Sequence, residues 1–345
     1  MVRHRLVGTA VGRQGGDLVN PTKPPRVSIV MPLFNKCSLV LEAIASVQAQ
    51  EIADWELVVV DDGSTDDGPE QVRAVSTSDP RIRLVAQENQ GVSAARNTGI
   101  GQSLADIIAF LDADDLWQPG FLAAVLALRE RFPTARWWAT GYLISAGNEM
   151  PRVNRLSGLP TRFVSGLIPD YFVVAATSDP PVWTSATAVE RQLFLAEDAG
   201  FPIGVRSGED LLTWARLAQA YPLAYDRRAL AIFRVSGIER RPDADDAVGK
   251  SLAALHQAHP ATPGLAAYRA AWHRMRGAMW LRFGDLAAAR CEAGQALRLA
   301  PWNPRSIYLW MQCRLPAAWR RRLDAWIRGA RARIMRAPTS TAPDE

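Results

Sequence analysis

Three aspartates crowd four positions directly after an apolar run. They are Asp112, Asp114 and Asp115, and the run before them is 107–111. Carboxylates packed together raise each other's pKa unless a cation lies among them. A hard divalent cation takes oxygen ligands, and Mg²⁺ usually rests on one or two carboxylates plus substrate phosphates. This Asp-x-Asp (DXD) sequence therefore indicates a metal and diphosphate site, although acidic loops after strands also occur without one.

Other ligand sites with a sequence signature do not match. An EF-hand loop needs an oxygen ligand and a glycine at set offsets, where this chain has Leu116 and Trp117. No Gly-x4-Gly-Lys-Ser/Thr loop is found, and Gly99-x-Gly101 lacks a third glycine. If the chain binds a nucleotide, side chains and a metal are expected to hold the phosphates.

Short β-branched runs alternate with segments of helical spacing along the N-terminal half. The predicted strands are 27–31, 57–60, 82–85 and 107–111, and helices are predicted at 39–50 and 92–104. This alternation predicts an α/β fold with a mostly parallel sheet and helices on both faces. Ligands in such sheets bind beyond the carboxyl ends of the strands. The polar clusters at 32–35, 61–66 and 112–115 are therefore expected along one rim.

Four stretches, in this order, resemble the successive motifs of family 2 glycosyltransferases. They are 27–35, 60–66, 89–99 and 110–115. The resemblance covers roughly residues 27 to 236. It implies the GT-A fold, which is Rossmann-like, and an inverting transfer from a nucleotide-sugar donor, with a UDP-sugar favoured.

The resemblance also implies the donor site. The residues carried over to donor binding are Pro32, Phe34, Asn35, Asp62, Arg96, Asn97, Asp112 and Ala113. Phe34 would lie against the nucleobase, and Asp62 would accept a hydrogen bond from it. Asp114, with Asp112, would bind Mg²⁺ or Mn²⁺. Ordinary structural roles remain open for several of them: a rim aromatic for Phe34, a turn for Asp62, and a solvated or structural helix residue for Arg96.

The second half supplies the implied catalytic group. Glu209-Asp210 matches the Glu-Asp motif of the family and follows a matching Gly200-Phe201. An inverting transfer needs a base that takes the proton of the acceptor hydroxyl, and the resemblance gives this role to Asp210, with Glu209 orienting it. Two acidic residues here are also typical of a helix N-terminus, and both interpretations are compatible.

Acceptor contacts are predicted less directly. Trp117 and Trp183 would fall near the acceptor in such a fold, although a chain with 12 tryptophans must use most of them in packing. The Gln-x-x-Arg-Trp motif of processive relatives is absent, so transfer of a single sugar is expected.

Composition changes along the chain and suggests domain boundaries. We expect a flexible arm at 1–26, a GT-A domain at 27–240, a helical region at 260–336 and a disordered tail at 337–345. Residues 279–301 resemble one tetratricopeptide-type helix hairpin, with Asp285 capping the second helix. A single repeat cannot bury its own face, so we expect it to pack on the catalytic domain or across a homodimer, with peptide binding as the alternative.

The last segment is basic. Residues 314–336 contain eight arginines and one aspartate, and 317–335 forms an amphipathic pattern with tryptophans. This pattern suits an anionic membrane surface, but a terminal helix docked on the domain would give the same pattern. No nucleic-acid motif accompanies the arginines, so nucleic-acid binding is not expected.

The remaining composition fits an enzyme at the cytoplasmic side of a bacterial membrane. Three unpaired cysteines indicate a reducing compartment, and no uncharged run reaches the roughly 18 residues of a membrane span. The expected role is in cell-envelope polysaccharide synthesis (lipopolysaccharide, exopolysaccharide or capsule), with a glycan or lipid-linked acceptor. The alternatives are a non-catalytic sugar-nucleotide-binding scaffold and a sugar nucleotidyltransferase.

Overall fold

The computed structural model describes residues 24–322, apart from 148, 197–198, 236–240, 317 and 321. Its strands are β1 (Val27–Leu33), β2 (Trp55–Asp62), β3 (Ile82–Gln87), β4 (Ile107–Phe110), β5 (Leu116–Trp117), β6 (Trp137–Ala146), β7 (Arg152–Val153), β8 (Ser165–Leu167), β9 (Thr187–Glu190) and β10 (Leu223–Val235). Its α-helices are α1 (Val40–Gln48), α2 (Gly68–Ser78), α3 (Val92–Gln102), α4 (Phe121–Arg131), α5 (Tyr171–Thr177), α6 (Glu209–Ala220), α7 (Ala247–Ala258), α8 (Leu265–Arg282), α9 (Leu286–Leu299) and α10 (Pro304–Gln312). Each of the four predicted strands and both predicted helices is present.

The sheet has a parallel half and a mixed half. The strand order is β3-β2-β1-β4-β9-β6-β10-β5, and the first four strands run parallel to one another. β9 is antiparallel to both β4 and β6, whereas β6 and β10 are parallel. The predicted α/β class is confirmed, with β9 as the reversal inside the sheet. Since β1, β2 and β4 are parallel, their carboxyl ends meet at one edge.

Alternate side chains of β1 pack into two hydrophobic cores, one on each face of the sheet. Ile29 and Met31 pack with α1 and α4, whereas Val30 packs with α3 and the C-terminal helices. A strand buried on both faces reads as the continuous apolar run seen in the sequence. The two cores hold the parallel strands rigidly, so that the loops at their ends have a fixed frame.

The C-terminal helices pack on the second of these cores. Leu265, Tyr268 and Trp272 of α8 belong to the same buried cluster as Phe172 of α5 and Trp214 of α6. The helix pair α8–α9 forms the predicted hairpin, and the Asp285 side chain caps α9 by accepting from the Ala288 N–H at 3.0 Å. Packing on the catalytic domain, one of the two predicted arrangements, is thus observed.

Several predicted segments lie outside the described residues. They are residues 1–23 of the N-terminal arm, nearly all of the basic segment 317–335, and the tail 337–345. Among the helices that the structure does describe, none combines the length and the apolar character that crossing a membrane requires.

Candidate active site

Three strand-end loops form one polar rim, as the parallel topology predicts. Asn35, after β1, has a φ of 53°, a left-handed conformation that asparagine tolerates better than most residues. Its side-chain oxygen accepts from the Thr65 N–H at 2.8 Å, and its own N–H donates to the Ser64 hydroxyl at 3.1 Å. The loop after β1 is thereby fastened to the loop after β2. Phe34 stands beside it with 46% of its surface exposed, so a ring face is open to a ligand.

Asp62 is a buried anchor at the end of β2. One carboxylate oxygen accepts from the Gln87 side chain at 2.7 Å and the Gln90 N–H at 2.9 Å, and the other accepts from the Gly91 N–H at 2.8 Å. Gly91 precedes α3, so Asp62 fixes the start of that helix. Asp61 accepts from the Ser64 N–H at 2.9 Å, which is the turn role expected of it.

Arg96 of α3 joins the two acidic motifs. Its guanidinium donates to an Asp112 carboxylate oxygen at 2.8 Å and to a Glu209 carboxylate oxygen at 3.0 Å. Burial alone would lower the pKa of Arg96, but the Asp112 and Glu209 carboxylates raise it further above its ordinary value. The arginine is therefore permanently charged. It thereby links α3 to Glu209, which lies 113 positions further along the chain.

Asp114 has a lysine partner that was not predicted. The Lys36 ammonium lies 2.6 Å from an Asp114 carboxylate oxygen. Lys36 follows Asn35 in the loop after β1. A lysine at the end of one strand, opposite the acidic loop at the end of another, was a sequence signal that could have predicted this ion pair. Both Asp112 and Asp114 keep 23% of the side chain exposed, so this edge of the site is accessible to solvent.

The oxygen donors of this edge fit a hard divalent cation. Asp112 and Asp114 lie on one short turn, and carboxylate oxygens are the ligands such a cation prefers. Each carboxylate already has a protein cation as partner, Arg96 or Lys36. A metal ion binding here would share Asp112 with Arg96 and compete with Lys36 for Asp114.

Asp115 turns away from the rim and ties three elements together. Its carboxylate accepts from the Trp183 indole at 2.8 Å, the Ser185 hydroxyl at 2.6 Å and the Arg234 N–H at 2.9 Å. Burial, reinforced by Asp112, raises the pKa of Asp115 to about 7. Asp115 therefore joins the loop after β4 to β10 and to the 3₁₀ helix Thr184–Ala186 with the Trp183 that precedes it.

Glu209 and Asp210 begin α6, after Gly208 with its φ of 82°. Asp210 accepts from the N–H of Leu211 at 2.7 Å and from the Thr184 hydroxyl at 3.3 Å. Burial and the neighbouring Glu209 carboxylate raise the pKa of Asp210 to about 7, against the opposing effect of Arg96. A half-buried carboxylate with a pKa near neutrality is suited to accept a proton from a substrate hydroxyl.

Three predicted site residues turn their side chains away from the rim. Both polar atoms of Asn97 bind the backbone of Phe201, at 2.8 and 2.9 Å, so this side chain anchors the segment before α6. Trp117 is 4% exposed, stacks on Phe121 and donates to the Ser185 carbonyl. The Ala113 methyl is buried in the core. In this structure Asn97 and Trp117 thus bind protein groups and the Ala113 methyl packs in the core, and their contacts with a ligand stay a prediction.

Two other predicted residues stay near the rim. Trp183 is half-buried, lies over Phe233 with ring centroids 3.8 Å apart, and leads into Thr184 next to Asp210. Pro32, within β1, is half-buried as well. Thr184 and Ser185 follow Trp183 directly, and their hydroxyl groups donate to Asp210 and Asp115.

A family model decides what this rim resembles. The model described as Glycosyl transferase family 2 matches residues 28–155, which include all four N-terminal motifs. Residues 28–155 therefore match the model of this glycosyltransferase family. The resemblance inferred from the motifs is thereby confirmed, while Glu209 and Asp210 lie beyond the matched residues.

Individual relatives agree. An uncharacterized glycosyltransferase of Rickettsia conorii is 31% identical over 222 residues, which are 64% of this chain and 34% of the relative. A GalNAc(5)-diNAcBac-PP-undecaprenol beta-1,3-glucosyltransferase of Campylobacter jejuni is 35% identical over 104 residues, 30% of this chain and 34% of that protein. A provisionally named colanic acid biosynthesis glycosyl transferase of Escherichia coli is 36% identical over 111 residues, 32% of this chain and 40% of its own. The matched stretch thus spans roughly a third of each relative's length.

Solved structures confirm the fold. Staphylococcus aureus TarS 1–349, solved with UDP-GlcNAc, has a TM-score of 0.51 at 17% identity, covering 84% of this chain and 90% of that one. The Pyrobaculum calidifontis mannosyltransferase PcManGT, solved with GDP-Man and Mn²⁺, also has a TM-score of 0.51, at 22% identity, covering 84% and 79%. At these identities the likeness establishes the GT-A architecture alone.

Proposed function

We propose that this chain is an inverting glycosyltransferase that moves one sugar from a nucleotide-sugar donor to a hydroxyl acceptor. The observation that carries the proposal is the double ion pair of Arg96, which joins Asp112 of the donor-side motif to Glu209 beside Asp210. Two carboxylate groups with different tasks, one facing a diphosphate and one facing an acceptor, must be adjacent in such an enzyme. Arg96 keeps them adjacent through these two ion pairs.

Asp210 is the proposed base. As the acceptor hydroxyl attacks the anomeric carbon, its proton passes to the Asp210 carboxylate, and the bond to the nucleoside diphosphate breaks on the opposite face of the sugar. One displacement inverts the anomeric configuration. Leu211 and Thr184 orient the Asp210 carboxylate through the hydrogen bonds described above. A pKa near 7 lets Asp210 accept the proton at neutral pH.

The donor is proposed to lie along the rim from Phe34 to Asp114. The exposed Phe34 ring offers stacking area to a nucleobase. Asp112 and Asp114 would hold Mg²⁺ or Mn²⁺, and a bound cation would offset the negative charge of the leaving diphosphate. Lys36 and Arg96 supply two further positive charges on the same edge. Asp62 already accepts three protein hydrogen bonds, so its proposed contact with the base would be a fourth.

The proposed acceptor is a hydroxyl of a growing cell-surface glycan. The named activity of the Campylobacter relative concerns an undecaprenyl-linked glycan, and the Escherichia relative is named for colanic acid. Both names support envelope polysaccharide synthesis as the setting. We favour a UDP-sugar as the first donor to test and a GDP-sugar as the second, since the two solved neighbours hold UDP-GlcNAc and GDP-Man.

Product analysis tests the proposal. Purified protein is incubated with Mn²⁺, a panel of nucleotide sugars and acceptor glycans, and released phosphates are identified. We expect nucleoside diphosphate and a product of inverted anomeric configuration by NMR, with both absent in Asp210→Asn. The matched control is Glu70→Gln, since Glu70 is an exposed acid on α2 that pairs with Arg73 and not with the rim residues named above. Release of pyrophosphate would indicate a nucleotidyltransferase, and binding without any turnover would indicate a scaffold.

A further inference from the structure

Helix α8 touches the helix turn that carries Glu209 and Asp210. A Cβ added to Gly208, the residue before α6, would lie 2.4 Å from Cη2 and 2.5 Å from Cζ3 of Trp272. The six-membered ring of Trp272 therefore packs directly on the Gly208 backbone. No other residue type could occupy position 208 without moving the ring, and the φ of 82° excludes most side chains independently.

A second residue of α8 reaches the same turn. The Tyr268 hydroxyl donates to the Leu211 carbonyl at 3.2 Å. Tyr268 and Trp272 are four positions apart, so both lie on one face of α8. Residues 208 and 211, which they contact, flank the pair Glu209–Asp210. Helix α8 thus contacts the backbone on both sides of the proposed base.

The Trp272 ring is itself fixed. Its indole N–H donates to an Asp246 carboxylate oxygen at 2.9 Å, and Asp246 is anchored as the N-cap of α7 by the Gly249 N–H at 2.9 Å. With 5% of its surface exposed, the tryptophan has little freedom to change rotamer. It therefore offers α6 a rigid support.

The segment before α6 has little other support on this side. Residues 204–207 line a cavity of about 320 Å³ together with 242–248 and Trp272. Ile203 is 69% exposed, and Gly204 has a φ of 79°. Along the path from 202 to 207, Val205 packs against the buried cluster, whereas Ile203, Gly204 and Arg206 are exposed. The Trp272 contact is thus the point where this path becomes fixed before the catalytic turn.

From these contacts we infer that Trp272 is a positioning residue for the Asp210 carboxylate, and that the C-terminal helical region is part of the catalytic apparatus. The inference rests on the proposed role of Asp210 as the base. A displacement of about 1 Å in a catalytic group costs on the order of 100-fold in rate. Support of the α6 start by Trp272 and Tyr268 prevents such a displacement.

The same helix provides a matched control. Trp280 is also 5% exposed, but it belongs to a separate cluster with Ala289 and Ala293 and lies against Arg241. Trp272→Leu and Trp280→Leu remove similar buried area from α8. Only the first removes the support of Gly208.

The experiment compares both leucine variants with wild type and Trp272→Phe. We expect kcat to fall about 10- to 100-fold in Trp272→Leu, with the Kd for nucleoside diphosphate changed less than about twofold, and to recover largely in Trp272→Phe. Trp280→Leu should keep kcat within about threefold. Equal kcat losses in the two leucine variants would overturn the inference and indicate general destabilisation.

Hydrogen exchange supplies a readout that does not need turnover. Amides of residues 209–214 should exchange faster in Trp272→Leu than in Trp280→Leu or wild type, even if no sugar transfer is found. Unchanged exchange there would overturn the positioning role. Inactive wild type with the expected exchange pattern would instead show that the proposed function has failed. If Trp272→Leu does not fold, Tyr268→Phe, which loses only the hydroxyl contact to Leu211, replaces it with the same expected order.

Discussion

Two clusters of carboxylates and cations in this molecule have opposite properties. The rim cluster (Arg96, Asp112, Asp114, Glu209 and Asp210, with Lys36) stands where strands and α6 meet, and parts of it face solvent. The helical cluster (Asp246, His273, Arg276 and Glu292) is enclosed by α7, α8 and α9. The comparison separates acidic groups that a substrate can reach, in the rim cluster, from acidic groups that stabilise the fold, in the helical cluster.

The pKa directions express this difference. Burial raises the pKa of Asp210 to about 7, so this carboxylate can bind a proton near neutral pH. Burial also acts to raise the pKa of Glu292, but hydrogen bonds from His273 and Arg276 outweigh it and lower the value. Both Glu292 oxygens are engaged, by His273 at 2.7 Å and Arg276 at 2.7 Å. Although Asp246, His273 and Glu292 lie close enough to bind a metal, Arg276 already pairs with both carboxylates.

Loss of the proposed base should give the largest effect on the rim. In Asp210→Asn, kcat is expected to fall by about 10²- to 10⁴-fold, because no carboxylate remains at this position to take the proton of the sugar acceptor's hydroxyl. Binding of nucleoside diphosphate should persist, since Asp112 and Asp114 are intact. Steady-state kinetics with the donor found in the product assay, together with calorimetry, measure the two quantities. A variant that retains wild-type kcat would assign the base elsewhere.

Removal of the Glu292 carboxylate from the helical cluster should lower folding stability and leave nucleotide binding unchanged. Glu292→Gln leaves Arg276 and His273 without their buried partner, and breaking such a pair costs about 3–5 kcal/mol of folding stability. Nucleotide affinity should stay within about twofold. Denaturant unfolding and calorimetry on the same preparation decide the outcome. Weakened nucleotide binding with unchanged stability would mean that the two clusters are not separate in function.

The sequence allowed the rim to be predicted but not the helical cluster. Asp112 and Asp114 stand at a strand end in a recognisable motif, and parallel topology brings such ends together. Asp246 and Glu292 come from different helices, where single charged residues have no pattern that distinguishes a buried partner from a solvated one. The same reason hid Lys36 and Trp272, whose roles depend on tertiary packing. The protein contacts of Asn97 and Trp117 were not predicted either, because a motif position does not specify where a side chain points.

The raised pKa of Asp210 predicts that both activity and folding stability depend on pH. The folded-state pKa of Asp210 is raised to about 7, above the 3.8 of an unperturbed aspartate, so the folded protein holds this proton more tightly than the unfolded chain. Activity should therefore fall as pH decreases through about 7, because the base becomes protonated. Stability contributed by the protonated form should be lost as pH rises from about 4 to 7. A kcat profile that is flat between pH 6 and 8 would contradict this account.

Asp210→Asn offers a check of the stability part. The variant has no group to ionise, so its melting temperature relative to wild type should increase as pH rises from 4 to 7. Between pH 4 and pH 8 we expect the unfolding free energy of the variant relative to wild type to rise by up to about 4 kcal/mol. Thermal unfolding of both proteins across this range measures the difference in melting temperature between variant and wild type. A difference that decreases with rising pH would contradict this prediction.

The smallest expected effect concerns Lys36. Because its ammonium group competes for Asp114, Lys36→Ala should bind Mn²⁺ more tightly, by about 2- to 5-fold in the absence of nucleotide. Lys250→Ala, which removes a lysine paired with Asp245 on the surface, is the matched control and should change nothing. Titration with Mn²⁺ followed by electron paramagnetic resonance reads the free ion. Weaker Mn²⁺ binding in Lys36→Ala would instead assign Lys36 a supporting role.

Nucleotide binding tests most directly whether the rim is the donor site. UDP, GDP, dTDP and CMP are titrated, each with and without Mn²⁺, into wild type, Asp114→Ala and Glu292→Gln. The account predicts that one nucleotide binds wild type and Glu292→Gln with similar Kd when Mn²⁺ is present, and that Asp114→Ala loses most of this affinity. Equal binding by Asp114→Ala, or binding lost only in Glu292→Gln, would contradict the assignment of the rim as the donor site.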